Sequence, residues 1–115
     1  MTLQAGEIVL LQYPFTDTSG IKLRPALIVS ADRFNRGEDL IAVPISSRVI
    51  PDDAYGFVIA ETDAFFPQTG LRCSSSVKWT KPMTISRLVI KSRKGSVPAP
   101  VLDAIRAKIR LLFTS

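Results

Sequence analysis

The chain has 115 residues, 46% of them hydrophobic, with 15 Lys and Arg against 10 Asp and Glu, a net charge of +5. That length supports one domain over residues 1–115 and not two. The single cysteine, Cys73, excludes an intramolecular disulfide framework, and the absence of histidine excludes the usual zinc clusters and the His-dependent nucleases, hydrolases and proteases.

Glu7 to Tyr13 follows Gly6, is apolar and β-prone, and predicts a first strand that Pro14 ends. Phe15 to Leu23 is a loop by composition, with Thr16, Asp17, Thr18, Ser19 and Gly20. Pro25 to Ala31 is a continuous apolar run and predicts a strand buried on both faces. Asp32 to Asp39 is polar and predicts a helical turn. Leu40 to Ile45 is a third strand, and Pro44 inside it argues for an edge position. After a loop at Arg48 to Asp53, a fourth strand is expected over Tyr55 to Ala60.

Glu61 to Gly70 reads as a linker. Leu71, Val77 and Trp79 mark a fifth strand and Met83 to Ile90 a sixth. Lys91 to Pro100 is expected to turn at Lys94-Gly95. Only the tail is helical by periodicity: Val101, Ile105, Ile109 and Leu112 recur at spacings of four and three, Leu102 and Phe113 widen the stripe, and Asp103, Arg106, Lys108 and Arg110 take the other face. Pro98 and Pro100 sit where that helix begins. Short strands followed by one helix suggest a small, strongly bent sheet or barrel. Met1 to Ala5 has no basic leader pattern, and no apolar run approaches the ~18 residues of a membrane span, so a soluble cytoplasmic protein is expected.

Two strand ends carry the chemistry. Arg24 precedes the second strand, and Ser46 and Ser47 close the third. If those strands lie side by side, a guanidinium and two hydroxyls meet at one surface, an arrangement suited to phosphate. Position alone leaves Arg24 open to being a surface arginine and the serines to being a strand cap. In Ser76-Val77-Lys78-Trp79-Thr80 the alternation puts Ser76, Lys78 and Thr80 on one face, toward solvent or RNA. Tyr13, Phe15, Phe65 and Phe66 are candidates for stacking on bases wherever they are exposed. The Arg106, Lys108 and Arg110 face and the Lys91, Arg93 and Lys94 run have the simpler readings of a solvated helix face and a turn.

The order Gly6-Glu7-Ile8-Val9, a loop, Arg24-Pro25-Ala26-Leu27-Ile28-Val29-Ser30, Val43-Pro44-Ile45-Ser46-Ser47, Gly70-Leu71 and a terminal helix resembles the MazF/PemK (Kid) toxins of bacterial type II toxin–antitoxin systems, from about Gly6 to Phe113. The resemblance implies a mainly β fold with a C-terminal α-helix, an SH3-like small barrel, in a homodimer. It implies a sequence-selective endoribonuclease that cuts single-stranded RNA without metal or cofactor. The 2′-hydroxyl attacks the adjacent phosphate and leaves 2′,3′-cyclic phosphate and 5′-hydroxyl ends. Arg24 matches the family arginine that stabilises the phosphorane or protonates the leaving oxygen. Ser46 matches the hydroxyl that bonds the phosphate. Thr16, Asp17, Ser19, Lys22, Ser47, Lys78 and Thr80 are the expected RNA-binding residues.

The chain departs from the family pattern in three places. Ser46 stands where threonine is more usual, the loop lacks the glutamate of several relatives, and Lys78 and Thr80 stand where some PemK-like members carry Arg-x-Asp. Threonine cannot serve as a carboxylate base, so the general base is unassigned, with Asp17 the nearest loop carboxylate. The resemblance also implies an acidic MazE-like antitoxin as partner, and a basic protein suits such an acidic, disordered tail. Two rival readings follow. One is a non-catalytic relative that binds an antitoxin or nucleic acid as a transcriptional modulator. The other is a CcdB-like gyrase inhibitor, ranked lower because Phe113-Thr114-Ser115 is not the expected aromatic-Gly-aliphatic tripeptide.

Overall fold

The computed structural model describes residues 2–12 and 22–114. Seven strands form one antiparallel sheet: β1 (Glu7–Gln12), β2 (Leu23–Ile28), β3 (Asp39–Ser46), β4 (Phe57–Ile59), β5 (Ser75–Val77), β6 (Met83–Ser86) and β7 (Ile90–Ser96). The strand order is β4-β5-β3-β2-β1-β7, with β6 on β3 beside that path. No pairing among the described residues joins β4 to β7, so the sheet is strongly bent rather than closed and "barrel" is a loose name for it. Among the described residues three α-helices, α1 (Asp32–Asn35), α2 (Phe66–Thr69) and α3 (Ala99–Arg110), and two short 3-10 helices, Arg87–Val89 and Leu111–Phe113, complete the fold.

The apolar run of β2 is buried on both faces, as its composition requires. Leu27 and Val29 join Ile8, Val43, Ile45, Leu102 and Ile105 in one core. Ala26 and Ile28 join Val9, Leu11, Leu40, Ala42 and Ile90 in a second core on the opposite face. The period-2 alternation of β1–β3 feeds both. Helix α3 covers the first core through Leu102 and Ile105, with Val101 and Ile109 half-buried beside them, and each fully buried aliphatic contributes about 1.5–3 kcal/mol. Pro98 caps the helix, its carbonyl accepting from the Val101 and Leu102 N–H groups at 3.0 and 3.1 Å. The stripe ends earlier than periodicity predicts, because Leu112 and Phe113 are exposed.

Further sequence expectations are corrected, among them the sixth strand, which ends at Ser86 where a 3-10 helix, Arg87–Val89, intervenes before β7. Pro44 is not on an edge: β3 pairs with β2 on one side and with both β6 and β5 on the other. Its register partners end at Ala42 for β6 and begin at Ile45 for β5, so the proline occupies the interval between them, where no backbone donor is needed. Lys94-Gly95 is not a turn but an irregularity inside β7. Ile8 pairs Gly95 and Val9 pairs Arg93, which leaves Lys94 as the extra residue of a bulge. Residues 61–70 are not a bare linker: Phe65 and Phe66 pack against the first core around α2. Gly70 closes that helix at φ +70°, where a Cβ would run into the Lys94 carbonyl. Finally, β5 ends at Val77, so the alternation predicted through Thr80 stops short.

Ser30, the last residue of the Arg-Pro motif, is buried and structural. Its hydroxyl donates to Asn35 Oδ1 and accepts from the Ile41 N–H at 2.9 Å, and Asn35 Nδ2 donates back to Ser30 O at 2.9 Å. This network closes the β2–β3 connection around α1.

Candidate functional site

The β2–β3 register decides whether the two motifs meet. Ala26 pairs Pro44, Leu27 pairs Val43 and Ile28 pairs Ala42. The paired register ends at Ala26 and Pro44, and two residues further outward on each strand stand Arg24 and Ser46, which strand periodicity returns to the face of Ala26 and Pro44. Both lie on the face of the second core, beyond its last buried residues. Both line one cleft of about 510 Å³, with Pro44, Ile45, Lys78, Lys81, Pro82 and Met83. Arg24 pairs with Leu11 of β1, and the pairing of β2 with β3 begins two residues later at Ala26. Its guanidinium is exposed and has no ion-pair partner among the described residues.

The rest of the cleft comes from the β5–β6 connection. The Lys78 N–H donates to Pro44 O at 2.8 Å, and the Lys81 N–H donates to Lys78 O at 3.1 Å, closing a turn over Trp79 and Thr80. Trp79 is buried in the first core and anchors this turn, with Tyr55 tilted against it at 6.1 Å and Lys108 Nζ 5.8 Å from its ring centre. Lys78 and Lys81 therefore reach the cleft from a pinned segment. Among the described residues the lining holds three cations, Arg24, Lys78 and Lys81, and no carboxylate, over an apolar floor of Pro44, Pro82 and Met83. Such a surface attracts phosphate and offers apolar contact to a ribose or base.

The Ser46 hydroxyl accepts the Arg48 N–H at 3.1 Å, which leaves its own proton to donate into the cleft. Lys78 Nζ lies 3.2 Å from Asp53 Oδ2. The other Asp53 oxygen accepts the Tyr55 N–H at 2.9 Å. The Tyr55 backbone bond first, and the Lys78 ammonium second, hold the Asp53 carboxyl below its ordinary value.

Of the sequence-predicted residues, the structure brings together Arg24, Ser46 and Lys78. Ser47 is exposed just past β3, Lys22 is exposed, and Thr80 is half-buried in the turn; none of the three lines the cleft. Thr16, Asp17 and Ser19, with Tyr13 and Phe15, lie outside the described residues. Phe65 and Phe66 are half-buried against the core and are not free to stack on bases. Sequence reasoning missed Lys81 and Asp53. The Lys78-Trp79-Thr80-Lys81-Pro82 pattern, a tryptophan between two lysines before a proline, is the signal that a strand reading of this segment overlooked. The supposedly solvated helix face is also partly engaged, since Arg106 Nε donates to Val29 O at 2.9 Å. A second depression, of about 300 Å³, is bordered by Gln4, Asp32, Asn35 and Arg87. It is structural: Asn35 serves Ser30, and Arg87 Nε donates to Gly37 O at 2.9 Å.

Comparison with known proteins agrees with this fold. A family model described as PemK-like, MazF-like toxin of type II toxin–antitoxin system matches residues 4–113. The chain is similar to MazF in a MazE–MazF crystal structure (Form-III) from Deinococcus radiodurans, with 26% identity, full coverage of both chains and a TM-score of 0.75. It shares its fold with the Mycobacterium tuberculosis toxin MazF-mt6, at 20% identity, 93% and 95% coverage of this chain and that one, and a TM-score of 0.72. It shares it also with a mycobacterial endoribonuclease in complex with its cognate antitoxin, at 19% identity, 95% and 92% coverage and a TM-score of 0.69. No curated protein sequence matches the chain.

Proposed function

The chain belongs to the PemK-like, MazF-like toxins of type II toxin–antitoxin systems, and from that premise we propose that it is an endoribonuclease cutting single-stranded RNA, mRNA above all. The observation that carries this reading is that Arg24 and Ser46 line one cationic cleft. In the proposed reaction the ribose 2′-oxygen attacks the adjacent phosphorus and the 5′-oxygen leaves. The products are a 2′,3′-cyclic phosphate and a 5′-hydroxyl. Arg24 faces the charge that builds on the phosphorane oxygens, and Ser46 donates a hydrogen bond to one of them, so preorganised donors meet charge where it develops. Lys78 holds the neighbouring backbone. Thr16, Asp17, Ser19, Lys22, Ser47 and Thr80 are proposed to extend the RNA path. No described carboxylate lines the cleft to take the 2′-hydroxyl proton.

An acidic MazE-like antitoxin is the proposed partner, supported by the MazE–MazF complex to which this chain is similar and by its net charge of +5. A homodimer acting on mRNA in the cytoplasm is part of the same reading. No described helix is long and apolar enough to cross a membrane. The test is incubation of the purified protein with a long mRNA in EDTA, followed by mapping of 5′-hydroxyl ends. Fragments are expected; intact RNA at high protein concentration overturns the reading. A non-catalytic RNA- or antitoxin-binding relative is the second reading, favoured by Thr80, which stands where some relatives carry the carboxylate of Arg-x-Asp and cannot act as a base. RNA binding without cleavage is the result that selects it.

A further inference from the structure

Asp53 is the one acidic side chain bonded to a cleft residue among the described contacts. Its two oxygens are both engaged, one by the Lys78 ammonium at 3.2 Å and the other by the Tyr55 N–H at 2.9 Å. A carboxylate so engaged, and absent from the cleft wall, is badly placed to take a proton from substrate. The surroundings are built to keep it there. Gly56 packs against both Asp53 and Ser76: a Cβ on it would lie 3.0 Å from Asp53 Oδ2 and collide with the Ser76 hydroxyl. Ser76 is itself buried on β5, two residues before Lys78. The side chains of Lys78 and Asp53 are only 20% and 21% exposed, so the pair is better shielded than an ordinary surface ion pair.

We infer that Asp53 is a positioning residue: it fixes the Lys78 ammonium at one place on the cleft wall and cancels its charge toward RNA phosphates that lie elsewhere. The inference rests on the RNA-cleaving reading. Fixed, the ammonium serves the one phosphate that enters the cleft. Released, it becomes a mobile cation that any phosphate can use. Loss of Asp53 therefore separates binding from turnover. Non-specific affinity rises while the chemical step slows, whereas simple structural damage weakens both.

The experiment compares wild type, Asp53→Asn, Asp53→Glu, Lys78→Met and the Asp53→Asn/Lys78→Met double variant, each shown by thermal melting to be folded. Cleavage of an RNA spanning a mapped cut site gives kcat and KM. Anisotropy with a fluorescein-labelled, 2′-O-methyl RNA of the same sequence gives binding without cleavage. For Asp53→Asn the expected result is a fall in kcat of about 10-fold and no rise in KM. Its log Kd should climb more steeply with log salt, by about 0.7 in slope, the value of one further neutralised phosphate on a single strand. That slope amounts to about a 2- to 3-fold larger loss of affinity between 50 and 200 mM salt. Asp53→Glu should restore the wild-type salt slope, and Asp53→Asn should change nothing further once Lys78 is Met.

An Asp53→Asn protein with wild-type kcat and salt slope overturns the inference alone. So does an equal effect of Asp53→Asn in the Lys78→Met background. Wild type that neither cleaves nor binds RNA overturns the RNA reading and this inference with it.

Discussion

Replacing Arg24 by alanine is the sharpest separation of chemistry from folding that this chain offers. Arg24 stands at the outer end of β2, exposed and without an ion-pair partner among the described residues. Its removal breaks no described bridge and opens no cavity, so stability should move by no more than about 0.5 kcal/mol. The effect on cleavage is of another size. A unit charge about 4 Å from a phosphorane oxygen is worth about 4 kcal/mol at an effective dielectric of about 20. Loss of one preorganised donor to a developing oxyanion costs about 10²–10³-fold in kcat, which is the same scale. Two cations, Lys78 and Lys81, remain on the cleft, so binding of uncleaved RNA should weaken far less than turnover. Arg24→Lys keeps the charge and loses the bidentate geometry, and should fall between, with about a 10-fold loss. Single-turnover cleavage of an end-labelled RNA in EDTA, beside thermal melts of the same samples, measures both quantities. Arg24→Ala cleaving within about threefold of wild type would refute the assignment of this guanidinium to the transition state.

Ser46→Ala should lower the cleavage rate about 10- to 100-fold, the worth of one hydrogen bond to a charged group, while Ser46→Thr keeps the hydroxyl and most of the activity; equal rates for Ala and Thr variants would remove Ser46 from the chemistry. Ile105→Ala, at a site with 0% exposure under α3, should cost about 2–5 kcal/mol of unfolding free energy, read from the denaturant midpoint, and a loss below about 1 kcal/mol would mean that α3 does not seal the first core. The Asp53 carboxyl, followed by its carbon chemical shift, should titrate below its ordinary value of 3.8. Because the folded value is depressed, the Lys78–Asp53 pair contributes above the unfolded value and is lost as pH falls through the folded one; a midpoint at or above 3.8 contradicts the bonding described here.

What was legible in the sequence followed from burial. The runs Ile8 to Leu11, Ala26 to Val29 and Leu40 to Ile45 are apolar because both faces of the central strands are covered, and all three read as strands, although the second, expected over Pro25 to Ala31, runs Leu23–Ile28. The stripe of α3 was readable for the same reason. Short, half-exposed elements were not. The four residues of α2 carry too little pattern to stand out from loop, and the three of β4 were found only as the centre of a longer expected strand, Tyr55 to Ala60. In β7, a bulge and a turn make the same demand for a glycine beside a polar residue, so Lys94-Gly95 was ambiguous in principle. Arg24 and Ser46 were found because motif and strand end coincided. Asp53 was not, because 25 residues separate it from Lys78 and only the folded chain brings them together.

The spacing of the two motifs has a physical meaning that the register makes plain. Strand β3 hands over from β6 to β5 along its outer side, and the handover falls at Val43 and Pro44. Most residues at position 44 would present a backbone N–H to that gap, and only proline leaves the strand continuous with no donor to satisfy. Where β5 and β6 part, the Lys78–Lys81 turn leaves and the cleft opens, with Pro44 on its floor. Ser46 stands two residues past Pro44, and in a strand two residues return to the same face. Arg24 stands two residues before Ala26, the register partner of Pro44, and lands on that face too. The proline therefore marks the seam in the sheet, and the two polar ends are placed by strand periodicity from it. A catalytic pair built this way depends on the β2–β3 register, so a one-residue slip would send Arg24 and Ser46 to opposite faces.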